Sequence, residues 1–175
     1  MHLHSIPPMK RKVEIKDVLI TDAVGIYTFQ FENKSQTEFT EFMLKFKNSS
    51  DPFIHDDFQR IISAIGKISE TGAYERYFRT SEGKMRDSVV AIPLDIRHRK
   101  NHDTLRLYCV RLSDRILIVG NGDTKRGSYN SNPRITQYTQ DLASIERAIN
   151  HYIQQNKITL VANKIIIDNS VKITI

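Results

Sequence analysis

A single cysteine, Cys109, stands among the 175 residues. One cysteine forms no internal disulfide and builds no cysteine zinc site, so the fold must be held by its core, and nothing argues for an oxidising compartment. The chain is long enough to bury such a core without staples and fits one domain, or one domain with appendages. No apolar run approaches the roughly 18 residues needed to span a bilayer, so no membrane association is expected. The opening segment MHLHSIPPMKRK has no apolar stretch ahead of its charges, unlike a signal peptide; the expectation is a cytoplasmic protein. There is no internal repeat and no low-complexity tract. With 39% hydrophobic and 26% charged residues, the composition is that of a globular domain and excludes wholesale disorder.

What is present is positive charge. Twenty-six basic side chains against 20 acidic ones leave a net charge of +6, which favours polyanionic partners because each cation that meets a phosphate releases counterions. The surplus is concentrated. Between residues 97 and 126 stand Arg97, Arg99, Lys100, Arg106, Arg111, Arg115, Lys125 and Arg126, against Asp103, Asp114 and Asp123.

The patterning gives an α+β fold. Residues 1–12 carry Pro7-Pro8 and Lys10-Arg11-Lys12 and read as a basic arm; Val13 to Ile20 is a strand or an irregular lead-in. GIYTFQFE (25–32) alternates, with Ile26, Thr28 and Gln30 on one face and Tyr27, Phe29 and Phe31 on the other, as in a half-buried strand. Phe39, Phe42, Met43 and Phe46 recur at helical spacing. Asp51 and Pro52 then open a second helix whose stripe is Ile54, Phe58, Ile61, Ile62, Ile65 and Ile68, ended by Gly72. DSVVAIPLD, TLRLYCVRL and RILIV follow as strands, Pro93 marking an edge or bulge in the first. Ile135, Tyr138, Leu142, Ile145, Ile149 and Tyr152 form the seam of a last helix, and Ile158 to Ile175 reads as short strands turning at Asp168-Asn169. The expected architecture is an antiparallel sheet packed against an N-terminal αα-hairpin and a C-terminal helix, the helices mostly on one face. The divisions are an arm and lead-in (1–24), the domain (25–155) and an appended strand pair (156–175).

A two-residue turn at Ser113-Asp114 sets Arg106 opposite Asn121. Arg106, Lys125, Arg126, Tyr129 and the 97–102 loop then converge at one end of the sheet, with Arg111 pointing elsewhere. Guanidinium groups grip phosphate and stabilise charge developing on it. RNA carries its own nucleophile, the 2′-hydroxyl, so a site of Arg, Lys and Tyr can cleave it without metal or cofactor. The alternative is a solvated basic face that binds an acidic segment of a partner. His98-x-x-x-His102 has metal-ligand spacing only if helical, and the cations of RHRKNHD repel a metal ion. GNGDTK lacks the Walker spacing, and Cys109 lies on the apolar phase of a strand as a core residue.

With these residues in place the sequence resembles the RelE/ParE superfamily of bacterial toxin–antitoxin toxins. GIYTFQFE followed by a helical hairpin resembles the family's opening, and DSVVAIPLD, TLRLYCVRLSDRILIVGNGDTKR and the last helix resemble its later strands and closing helix. The likeness covers roughly residues 25–155. It implies a RelE-like ribosome-dependent endoribonuclease that cuts mRNA in the decoding site by 2′-hydroxyl attack. ParE-like members inhibit DNA gyrase instead, and a fold-mate without catalytic activity is the further alternative. A cognate antitoxin protein is the implied partner. Carried over by position, Arg106 and Lys125 or Arg126 stabilise the phosphate transition state and Tyr129 transfers a proton or stacks. Arg97, Arg99 and Lys100 hold the RNA backbone, with His98 or His102 as alternative acid or base. The two extensions are additional to the family pattern, and three readings of them stand open: they occupy a sheet edge, act as a built-in inhibitor, or mediate a homodimer.

Overall fold

The computed structural model describes residues 10–79, 88–94, 102–126 and 132–175. In chain order these form β1 (Lys12–Ile20), β2 (Gly25–Phe31), α1 (Glu38–Phe46), α2 (Pro52–Thr71), β3 (Val89–Ile92), β4 (Thr104–Ser113), β5 (Ile116–Lys125), α3 (Pro133–Gln154), β6 (Ile158–Val161), β7 (Lys164–Ile167) and β8 (Ile173–Thr174). The class is α+β. The helix starts follow from side chains that satisfy the first orphan backbone N–H groups: Thr37 accepts from Thr40, Asp51 from Phe53 and Ile54, and Asn132 from Arg134 and Ile135. Pro52 and Pro133 stand at the first helical position, where a missing N–H costs nothing.

Six strands form one sheet in the order β3-β4-β5-β2-β1-β8, and β6 and β7 form a separate hairpin. The sheet is mixed, which corrects the antiparallel expectation: β2 and β5 run parallel, Gly25 to Tyr27 beside Ile116 to Ile118, while every other neighbouring pair is antiparallel. A parallel pair needs a long crossover, here the whole run through α1, α2, β3 and β4. The lead-in Lys12–Ile20 is a strand paired with β2 along its length, apart from one bulge between Asp17 and Leu19. β8 pairs with its beginning, Lys12 opposite Thr174.

Helices cover both faces of the sheet, not mostly one. On one side α1 and α2 lay Phe42, Ile54, Phe58, Ile61, Ile65 and Ile68 against Ile26, Leu105, Leu107, Cys109, Leu117 and Val119. On the other, Ile135, Leu142, Ile145 and Ile149 of α3 and Ile158 of β6 cover Tyr27, Phe29, Phe31, Tyr108, Val110, Ile116 and Ile118. This is why the alternation of GIYTFQF separates two buried faces and not an inside from an outside. Only Gln30 in it is less than buried. Cys109 is fully buried, and desolvation drives its thiol pKa far up.

Two turns differ from expectation. The β4–β5 hairpin turns at Asp114-Arg115, with Ser113 opposite Ile116, so Arg106 faces Asp123 and not Asn121. The β6–β7 hairpin turns at Ala162-Asn163, with Ala162 at φ 53. Asp168 instead caps a tight bend after β7, its Oδ1 accepting from the backbone and hydroxyl of Ser170. No helix among the described residues is long and apolar enough to cross a membrane.

Candidate functional site

β5 leaves β2 after Ile118 and continues to Lys125 beside β4 alone. Its free flank is filled from both layers, by α1 on one side and the start of α3 on the other. Asn132 fixes that start. Its Nδ2 donates to the Thr124 carbonyl at 2.9 Å and to Asp123 Oδ2 at 3.4 Å, while its Oδ1 caps α3. Arg134, one residue into the helix, is thereby brought to the end of β5, its NH1 3.6 Å from Asp123 Oδ2.

Residues that face each other across a ribbon share a face. Arg106 and Asp123 therefore lie together on the α3 side, and Lys125, opposite Thr104, is their diagonal neighbour. The convergence of Arg106 and Lys125 at one end of the ribbon holds in this register. Both are deeply buried, at 5% and 6% exposure. Arg126 is different: its side chain is 66% exposed and its Nε donates to Asp103 Oδ1 at 2.8 Å. Asp103, Asp123, Thr124, Arg126, Asn132, Pro133 and Arg134 line an open cleft of about 640 Å³.

His102 does not join this group. Its ring lies 4.3 Å from that of Phe53, at the start of α2 in the opposite helical layer. Arg111 turns to the end of α2, its Nε donating to the Ala73 carbonyl and its guanidinium pairing with Asp114. Arg97, His98, Arg99, Lys100 and Tyr129 lie outside the described residues.

No family model, curated protein or solved structure matches the chain.

The sequence reading did not single out a second polar group on the same flank of β5. Lys45 of α1 donates to the Gly122 carbonyl and to the Tyr138 hydroxyl of α3, each at 3.1 Å. Burial lowers the Lys45 pKa from its ordinary 10.5, against the charges of Asp123 and Glu41. Burial and the charges of Asp123, Glu38 and Glu41 raise that of Tyr138. Beside them Asn121 donates to both Glu38 and Glu41 at 3.0 Å, and Lys34 pairs with the same two acids. Glu38 is 2% exposed, so these donors compensate an otherwise costly buried charge. Burial pulls the Lys34 pKa down, but the hydrogen bond and charges of Glu38 and Glu41 outweigh it and the net shift is upward. Gly122 admits no side chain: a Cβ there would stand 2.0 Å from the Arg106 carbonyl oxygen and 2.9 Å from Phe42 Cε2.

Arg134 and the acids Asp103 and Asp123 were the missed members of the cleft. The available signal was Pro133, which marks a helix start two residues before the apolar seam and so places Arg134 in the first turn. Chemically, the cleft offers two exposed guanidinium groups, Arg126 and Arg134, with Arg106 and Lys125 buried on the adjoining ribbon. Guanidinium groups are suited to bidentate hydrogen bonding with anionic oxygens.

Proposed function

We propose that the protein is a toxin of the RelE/ParE type that binds ribosome-associated mRNA in the cleft at the end of the β4–β5 ribbon and cuts it there. The observation that carries this reading is the gathering of Arg106, Lys125, Arg126 and Arg134 at one ribbon end beside an open cleft. In the proposed reaction the RNA 2′-oxygen bonds to the adjacent phosphorus and the bond from phosphorus to the 5′-oxygen breaks, leaving a cyclic phosphate and a 5′-hydroxyl. The proton leaves the 2′-hydroxyl and another reaches the departing oxygen. Arg126 and Arg134 hold the phosphate chain, and the charges of Arg106 and Lys125 on the adjoining ribbon favour the extra negative charge of the transition state. A small antitoxin protein covering the same corner would silence it.

The burial of Arg106 and Lys125 favours a second reading, in which the corner binds RNA, DNA gyrase or a protein partner without cutting anything. Induced expression in bacteria, with growth followed and mRNA 5′ ends mapped, separates the two. New in-frame cuts, slowed about tenfold or more in Arg126→Gln, which is roughly 1.4 kcal/mol of barrier, support the nuclease. Growth arrest without cuts moves the target to gyrase or another partner, and unimpeded growth leaves a binding protein.

A further inference from the structure

Two features of the cleft stand together. Each exposed guanidinium is matched to a carboxylate of the same wall, Arg126 to Asp103 and Arg134 to Asp123. The arginine side chains are 66% and 73% exposed, and ion pairs so open to water contribute little. A phosphate accepts from a guanidinium fork in the same geometry as a carboxylate and does so bidentately. The Arg134 pair is loose already, its 3.6 Å separation being beyond hydrogen-bond reach.

We infer that Asp103 and Asp123 are internal stand-ins for RNA phosphates: they hold the two arginines across the cleft in the unbound protein, and successive phosphates of a single strand displace them on binding. The inference rests on the reading of the corner as an RNA site and adds its regulation. The two acids differ in what they cost to remove. Asp123 is 11% exposed, faces Arg106 across the ribbon and accepts from Asn132, so it serves the fold as well. Asp103 is 40% exposed and lies just before β4. Removing its charge takes this carboxylate away from Arg126 without opening the core.

The test uses the full chain and a fluorescein-labelled oligodeoxynucleotide, which has the phosphates but no 2′-hydroxyl and so cannot be cut. Binding is followed by anisotropy across a salt series. Asp103→Asn is expected to bind about three- to tenfold more tightly than the unaltered chain. Its log K should fall with log salt at the slope of the unaltered chain, because both make the same phosphate contacts once bound. Arg126→Gln and Arg134→Gln are expected to bind more weakly. Glu32→Gln changes net charge by the same amount at an exposed position away from the cleft and controls for bulk charge. Equal tightening by Glu32→Gln, or an Asp103→Asn variant with unchanged affinity, overturns the inference, as does absence of binding by every variant. The outcome is separable from the nuclease reading. Tightening without mRNA cuts in cells keeps the stand-ins and removes the nuclease; cuts with no tightening do the reverse.

Discussion

At the residue scale, the polar groups around β5 carry the sharpest physical signatures. Tyr138 is held in its neutral form by burial and by three nearby carboxylates. As pH rises past about 10 the unfolded chain loses this proton while the folded chain keeps it, so stability falls until the raised pKa is passed. Lys45, with a lowered pKa, works in the opposite sense: the stability it contributes is present above 10.5 and is lost as pH falls through its folded pKa. Tyr138→Phe is expected to cost about 1 kcal/mol at neutral pH through the lost Lys45 bond, and to lose less stability than the parent as pH rises above about 10. Urea midpoints over that range measure it, and parallel curves for the two proteins would refute it. The sequence made Tyr138 legible only as one step of the apolar seam on α3. Its hydroxyl reaches Lys45 because β2 and β5 diverge and leave a gap there, and that divergence is set by tertiary pairing.

At the scale of elements, legibility tracked period. The stripes of α2 and α3 were readable because a 3.6-residue repeat needs only local sequence: Ile61, Ile68, Leu142, Ile145 and Ile149 are all fully buried. The strands were readable as strands but their partners were not. β2 and β5 are buried on both faces, so neither shows an exposed phase that would fix register. A turn displaced by one residue moved the partner of Arg106 by two, from Asn121 to Asp123, and with it the acid that defines the cleft. Ala162 at positive φ carries no turn signal of the usual Gly or Asn kind, which is why Asp168-Asn169 drew the hairpin instead. Asn132 joins two elements at once, capping α3 and tying it to β5. Asn132→Ala is therefore expected to destabilise the fold by about 1–2 kcal/mol, the upper part of the range for a lost cap. It should also weaken oligonucleotide binding, because Arg134 loses its anchor. Chemical denaturation and anisotropy on the same sample check both. A stability loss with binding untouched would show that Arg134 is placed by other contacts.

At the scale of the whole molecule, the segment after α3 is part of the core. Ile158 and Ile173 are 2% and 3% exposed, Tyr27 bonds through its hydroxyl to Asn163 and Ile165, and the backbones of Arg11 and Ile175 exchange two hydrogen bonds. Burying those two isoleucines alone is worth about 3–6 kcal/mol, against a usual total of about 5–15 for a domain. Truncation after Asn156 is accordingly expected to leave an unfolded or aggregating chain, read by circular dichroism and soluble yield. A folded, cooperative truncated protein would show that the domain stands without the segment.

The parallel seam at the centre of the sheet also has a consequence in time. Ile26 and its neighbour Leu117 are about 90 residues apart in the chain, and contacts of such separation slow folding because the loop must close before it is rewarded. During synthesis the β1–β2 hairpin emerges before β5, and the edge meant for β5 stays unoccupied until α1, α2, β3 and β4 have also been made. That bare edge, the backbone of Gly25 to Tyr27, is where a nascent chain would be caught by a chaperone or by a second copy of itself.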